Sequence, residues 1–216
     1  MIRLAILGST GSIGRSTLEV VRRHPEVFQV TALAGNRRLE ALSAQVAEFR
    51  PRVAVVAAEE GPDLPDETPD TTWDRGRSAL VELAARDDVD VVLNAVVGAA
   101  GLEPTLAALQ AGKRLALANK ESLVAGGALV RRAAEAGGGE LVPVDSEHSA
   151  ILQCLRDCPD DEVSRVILTA SGGPFRGWTS ERLATVGPAQ ALKHPTWSMG
   201  AKITIDSATL ANKALE

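Results

Sequence analysis

A chain of 216 residues, 45% of them hydrophobic, can bury a substantial core in one large domain, or in one domain and part of another. Its net charge of −5 argues against nucleic acid or an anionic membrane as the main partner, and no apolar run reaches the ~18 residues of a membrane span. The opening run from Met1 to Gly8 is too short for a secretory signal and turns straight into glycines, so a soluble cytoplasmic protein is expected. Cys154 and Cys158, four residues apart, are expected on one helix as buried reduced thiols, in preference to a metal pair or a disulfide.

Strands and helices alternate along the chain. Residues 2–7 form an apolar strand, and a helix carrying Thr17 to Val21 stops near His24-Pro25. Residues 28–33 are the second strand, 39–49 carry helical periodicity, and 53–57 are the third strand. The segment 61–72, rich in proline and acidic residues, reads as a surface loop. A helix over 78–86 and a strand over 89–93 follow, then a helix that starts at Pro104 with Leu102, Leu106 and Leu109 on one face. Residues 114–118, 123–136 and 140–144 read as strand, helix and strand, with Gly137 to Gly139 ending the helix. This βαβ series is α/β, a Rossmann-like doubly wound parallel sheet with right-handed crossovers. Beyond Ile151 the pattern changes. Strands are expected over 163–169 and 203–205 among long irregular stretches, as in part of a second α/β domain that carries loops.

Gly8-Ser9-Thr10-Gly11-Ser12-Ile13-Gly14 leaves the first strand and enters the first helix. Glycines there let the backbone approach a pyrophosphate at a helix N-terminus, so dinucleotide binding is expected; the alternative is a tight turn without a ligand. The second strand ends in Gly35-Asn36-Arg37-Arg38, with no carboxylate before Glu40. Arg37 and Arg38 suit a 2′-phosphate and favour NADP, unless they are simply solvated. Asn119-Lys120-Glu121 ends the strand over 114–118, where polar residues face the ligand crevice. Lys120 could hold a carbonyl oxygen or a carboxylate, and Glu121 could equally be a first-turn helix acid.

Asp145-Ser146-Glu147-His148 follows an apolar strand. Two carboxylates and an imidazole held together call for a positive charge, which a hard divalent cation would supply; the plainer alternative is a polar loop with a helix N-cap. In extended backbone Asp145 and Glu147 would point the same way. Ser171 to Arg176 offers hydroxyl and backbone donors of the kind that bind phosphate. His194 to Gly200 places Trp197 and Met199 in a polar loop that either closes over a ligand or packs on the core. Residues 205–216 read as a strand end entering a helix, with Ser207, Asn212 and Lys213 suited to a phosphate monoester and Glu216 to a metal.

Seven motifs in order carry a resemblance that spans nearly the whole chain: GSTGSIG at 8–14, GAAGL at 98–102, ANKESLV at 118–124, PVDSEHSA at 143–150, SGGPFR at 171–176, HPTWSMG at 194–200 and IDSATLANKALE at 205–216. The chain resembles the 1-deoxy-D-xylulose 5-phosphate reductoisomerases of isoprenoid precursor (isoprene) biosynthesis. The resemblance implies an NADPH-dependent oxidoreductase and isomerase that rearranges a ketose phosphate and reduces the resulting aldehyde to 2-C-methyl-D-erythritol 4-phosphate. It implies Asp145, Glu147 and Glu216 as ligands of Mg²⁺ or Mn²⁺, with Co²⁺ as an alternative. Lys120, with the metal residues Asp145 and Glu147, is implied in catalysis, and His148 beside the metal site. Ser146, Ser171, His194, Trp197, Ser207, Asn212 and Lys213 are implied in binding the sugar phosphate. Gly8, Ser9, Thr10, Gly11, Ser12, Ile13, Gly14, Gly35, Asn36, Arg37, Gly98, Ala100, Asn119, Glu121, Met199 and Gly200 are implied for the coenzyme. A cytoplasmic homodimer with no nucleic-acid or membrane partner is implied as well.

The family pattern departs at two points. Many members read Gly-Lys-Asn where this chain has Gly35-Asn36-Arg37, which moves the positive charge one place along. Family members also continue past Glu216 through the rest of the catalytic domain and a C-terminal helical domain. The expected division is therefore an NADPH-binding domain over 1–145 and the beginning of a catalytic domain over 146–216, with little turnover from these 216 residues alone. The competing readings are an NADP-binding module without catalysis and a semialdehyde-type dehydrogenase. Neither cysteine has the glycine-flanked setting that the latter requires.

Overall fold

The computed structural model describes residues 1–216, the side chain of Asp160 excepted. Strands β1 (Ile2–Leu7), β2 (Phe28–Gly35), β3 (Val53–Val56), β4 (Thr72–Arg75), β5 (Val91–Asn94), β6 (Arg114–Leu117) and β7 (Glu140–Pro143) form one sheet in the order β4-β3-β2-β1-β5-β6-β7. Every pairing is parallel. The order reverses direction at β1, which pairs with β2 on one side and β5 on the other, and this is where a doubly wound sheet opens its ligand crevice.

Alternation along β1 explains the two cores. Leu4 and Ile6 face one side with Leu33, Leu18, Val21 and Leu42. Helices α1 (Ser12–Arg23) and α2 (Leu39–Phe49) cover that side. Ala5 and Leu7 face the other side with Leu80, Leu83, Leu109, Val130 and Ala133. There α3 (Arg77–Ala84), α4 (Leu102–Gln110) and α5 (Glu121–Gly137) pack. Both faces of the sheet are therefore covered, as a parallel sheet requires.

The chain divides into two compact units, Met1–Asp145 and Ser146–Glu216. The second holds α6 (Ser146–Leu155), α7 (Ser180–Leu183), α8 (Pro188–Ala191), α9 (Ala201–Ala208) and α10 (Ala211–Leu215). No helix of the described residues is long and apolar enough to cross a membrane.

Several sequence expectations are corrected. The run 203–205 is not a strand but lies within α9. Thr204 Oγ1 donates to the Gly200 carbonyl at 2.9 Å, and Lys202 pairs with Asp206 one turn on at 2.7 Å, so local bonds override the β-branched preference. Residues 163–169 do not form a strand, and among the described residues no segment pairs with them; an extended run without a partner ladder is not a strand. Strand β7 ends at Pro143 and α6 opens at Ser146, so the extended-backbone argument for Asp145 and Glu147 does not apply. Cys158 lies beyond the end of α6 and Cys154 is exposed, so the two are neither on one helix nor buried, and both are free thiols. Strand β4 appears where the expected loop ends. Its Thr72-Trp73-Asp74-Arg75 sequence is polar because it is an edge strand.

Arg3 and Asp90 tie the foot of β1 to the loop before β5, through bonds of 2.5 and 3.0 Å from the guanidinium. These hydrogen bonds, with one from the Arg3 backbone, pull the Asp90 carboxyl down to about 2. The interaction is therefore complete above the ordinary carboxylate range, near 3.8, and is lost as pH falls through about 2. An NMR titration should find Asp90 with that depressed pKa, and Arg3→Ala should return it towards the ordinary value.

Candidate functional site

In the first unit the glycine loop sits at the carboxyl end of β1. Gly8 N and Ser9 N both donate to the Ala34 carbonyl, at 2.9 and 2.8 Å. Gly8 takes a positive φ of 84°, and a Cβ there would fall 2.6 Å from the Ala95 oxygen. A Cβ at Gly14 would lie 2.5 Å from both the Gly8 oxygen and the Ser9 Cα, so the first turn of α1 closes directly on the loop. Below the loop, the buried Ser9 hydroxyl donates to Gln45 Oε1 at 2.7 Å and Gln45 Nε2 returns a bond to the Ser9 carbonyl at 3.0 Å. The N-terminus of α1 carries no side-chain cap and no acidic residue in its first turn, which leaves a positive dipole end beside the loop.

A cleft of about 480 Å³ opens there, lined by Gly8, Thr10, Gly11, Gly35, Asn36, Arg38, Glu59, Arg77, Val96 and Ala100, among others. Arg38 lines it, whereas Arg37, the preferred residue from the motif, is exposed outside it. Glu59 and Arg77 belong to none of the sequence motifs, although Glu59 lies three residues past the end of β3 and polar residues past strand ends are the usual clue. Glu59 accepts the first amide of α3, from Arg77, at 3.0 Å, and the Arg77 guanidinium donates to Glu103 at 2.6 Å.

Asn119 acts inside the fold. Its side-chain nitrogen donates to the Val96 and Gly98 carbonyls, at 2.5 and 2.9 Å, and its oxygen accepts the Ser122 amide at 2.9 Å. It thereby fixes both the loop after β5 and the start of α5, where Glu121 is the first residue. Asn94, also unflagged by sequence, donates to the Gly101 carbonyl and to Thr105 beneath the same loop. Lys120 is buried, and its ammonium lies 2.7 Å from Asp145 Oδ2, pairing the ends of β6 and β7.

In the second unit the charged residues converge. Glu147 and Glu216 offer carboxylate oxygens within 4.8 Å of each other. The Lys213 ammonium lies between them, 2.9 Å from Glu147 Oε1 and in a very short contact with Glu216 Oε2. Asn212 donates to Glu216 Oε1 at 2.6 Å, the Ser146 hydroxyl donates to Glu147 Oε2 at 2.5 Å, and His148 Nε2 lies 3.5 Å from the Glu216 carbonyl. Burial pushes the Glu147 carboxyl up, but Ser146 and Lys213 together hold it below the ordinary range. Burial likewise pulls Lys213 down, and its two carboxylates together raise it above the ordinary range. The pairing persists at neutral pH and fails in acid, as Glu147 gains its proton.

Nearby loops of this unit carry the other expected residues. Ser171 Oγ is 3.1 Å from His194 Nε2, and His194 Nδ1 accepts the Thr196 and Trp197 amides at 3.2 and 3.0 Å. Gly173 packs on the Ser207 carbonyl, which brings the loop that begins at Ser171 against the end of α9. Trp197 is 63% exposed and so does not pack on a core. Met199 and Gly200 lead from this loop into α9.

A profile described as 1-deoxy-D-xylulose 5-phosphate reductoisomerase matches residues 4–127, and one described as the C-terminal domain of the same enzyme matches 141–216. The chain belongs to the 1-deoxy-D-xylulose 5-phosphate reductoisomerase family. The reductoisomerase of Laribacter hongkongensis is 51% identical over 224 residues, covering 100% of this chain and 58% of its own. That of Chlorobaculum tepidum is 54% identical over 221 residues, with 100% and 57% covered. A crystal structure of a DOX-P reductoisomerase with NADPH, fosmidomycin and magnesium matches with a TM-score of 0.88 at 41% identity, over 100% of this chain and 56% of that one. The Zymomonas mobilis reductoisomerase with NADPH gives 0.83 at 41% identity, over 99% and 56%. The chain thus spans a little over half the length of the reductoisomerases it matches. Membership accounts for the Rossmann-like sheet and for the order of the seven motifs.

Backbone crowding makes the glycine loop testable on its own. Gly14→Ala should lower stability by about 1–3 kcal/mol in urea denaturation, since backbone atoms must move to admit the methyl group. Gly127→Ala, inside α5 with nothing within 4 Å of the new atom, should instead raise it by about 0.5–1 kcal/mol.

Proposed function

We propose that this chain supplies the coenzyme, metal and phosphate sites of an enzyme that converts 1-deoxy-D-xylulose 5-phosphate to 2-C-methyl-D-erythritol 4-phosphate with NADPH and a divalent cation, Mg²⁺ or Mn²⁺. The observation that carries it is the cluster of Glu147 and Glu216 around the Lys213 ammonium. A protein cation lodged between two hard carboxylates marks where a dication fits, and carboxylate oxygens are the donors that Mg²⁺ and Mn²⁺ prefer. Family membership supports the same reading, as do the reductoisomerase structures that hold NADPH and magnesium.

In this proposal residues 1–145 hold the coenzyme. The loop Gly8–Gly14 and the N-terminus of α1 take the pyrophosphate, and Arg38 takes the 2′-phosphate. Asp145 joins Glu147 and Glu216 as the third metal ligand. A cation held there would supply Lewis-acid polarisation of the substrate carbonyl. Lys120, positioned by Asp145, donates a hydrogen bond to a substrate oxygen. Ser171, Ser207, Asn212 and Lys213 hold the phosphate group, which fixes the distance from phosphate to carbonyl. Trp197 covers the bound substrate and excludes water; the coenzyme, when bound, would supply the hydride that reduces the aldehyde.

In the complete protein, NADPH absorbance should fall when the ketose phosphate and Mn²⁺ are added. Asp145→Asn should lower turnover by roughly two orders of magnitude or more. No oxidation would sink the enzyme reading, and unchanged turnover in the variant would sink the metal role of Asp145. Arg38→Ala should raise the KM for NADPH by roughly tenfold or more and leave that for NADH nearly unchanged. An equal effect on both coenzymes would remove Arg38 from the 2′-phosphate.

A further inference from the structure

Two of the four residues that the proposed function assigns to phosphate, Asn212 and Lys213, are engaged elsewhere. Lys213 contacts Glu147 and Glu216, and Asn212 Nδ2 donates to Glu216. A single helical turn sets this geometry: α10 places Asn212 and Lys213 four and three residues before Glu216, and Lys213 also reaches Glu147 of α6. Asn212 Oδ1 is buried without a hydrogen-bond partner, an arrangement that favours an alternative in which this amide turns. An ammonium and a dication cannot share two carboxylates at this range, because their mutual repulsion in a partly buried site is large. Lysine, a point charge on a flexible stem, can leave while the carboxylates stay.

We propose that Lys213 is an exchangeable internal counter-ion of the metal site. A divalent cation entering between Glu147 and Glu216 displaces its ammonium and releases Asn212, and the freed pair then captures the phosphate of the substrate. The inference rests on the metal and phosphate roles proposed above and adds that the two sites are coupled through one side chain. Cation and phosphate therefore bind cooperatively, each raising the affinity of the other by the same factor. Without the cation the carboxylates compete with phosphate for the same two donors.

The test measures Mn²⁺ binding to the complete protein by electron paramagnetic resonance, with and without inorganic phosphate. Wild type should bind Mn²⁺ more tightly when phosphate is present. Lys213→Gln, which keeps the length and removes the charge, should bind Mn²⁺ roughly tenfold more tightly than wild type and lose the phosphate effect. Lys213→Arg should keep both wild-type behaviours. Unchanged or weaker Mn²⁺ binding in Lys213→Gln, with a wild-type circular dichroism spectrum, would overturn the inference. So would a phosphate effect that survives in this variant, since it would come from phosphate touching the metal directly. Should the variant fail to fold, absence of coupling between Mn²⁺ and phosphate in wild type still overturns the inference, and Lys213→Met, uncharged and of similar length, carries the same expectations as Lys213→Gln. Glu147→Gln separates the two levels. If wild type binds no Mn²⁺, or Glu147→Gln binds it as well as wild type does, the metal reading itself fails. If only the Lys213 predictions fail, the metal site stands and the exchange does not.

Discussion

The burial of β1 on both faces and both edges is the constraint from which the first unit follows. Ala5, Ile6 and Leu7 are fully buried, so neither side chains nor backbone of this half of the strand can turn to water. Its neighbours must be strands, and parallel pairing to both β2 and β5 demands crossovers that place helices above and below. Because the chain winds outward from β1 in both directions, the loop that leaves it has no connection crossing above. The glycine loop therefore meets an open crevice at the helix end where an anion is favoured. Ser9 and Gln45 anchor the base of the loop with two reciprocal buried bonds, so it is presented as a rigid surface.

The second unit follows a different logic. It has short helices and long irregular stretches, and little of its surface is buried in an apolar core. Much of its local order comes from polar pairs. Lys213 joins α10 to α6 through two carboxylates, His194 gathers its own loop through two amides and reaches Ser171, and the Thr179 hydroxyl caps α7. Arg182 lies 4.0 Å over the Trp178 ring, which also meets Phe175 edge-on. Such contacts position side chains at low intrinsic stability, which is the usual state of regions that must rearrange around a ligand.

The first unit was legible in the sequence because its signals are local. Apolar runs gave six of the seven strands nearly in place, and their alternation with helices pointed to a doubly wound parallel sheet. The missed strand, β4, is an edge strand whose polarity hides it. In the second unit Ile203-Thr204-Ile205 reads as strand by composition, yet Thr204 and Lys202 satisfy themselves within a helix. The meeting of Glu147 with Glu216 followed only from the family resemblance, and the engagement of Lys213 and Asn212 with those carboxylates had no signal at all. Glu147 stands 66 residues from its Lys213 partner, and no periodicity reports a contact over that separation. That Arg38 and not Arg37 lines the cleft was likewise hidden, since adjacent exposed arginines look alike until the backbone direction is known.

The amides that converge on His194 have a consequence for acid–base chemistry. Two N–H groups directed at Nδ1 require a lone pair there, so the single ring proton resides on Nε2. The imidazole is thereby a hydrogen donor towards Ser171, and the serine keeps its own hydroxyl proton to offer onward. A histidine held in this tautomer cannot take a proton from a substrate without surrendering the loop that carries Trp197. The ring thus orders the loop around it, and in the proposed function it orients Trp197 instead of moving a proton.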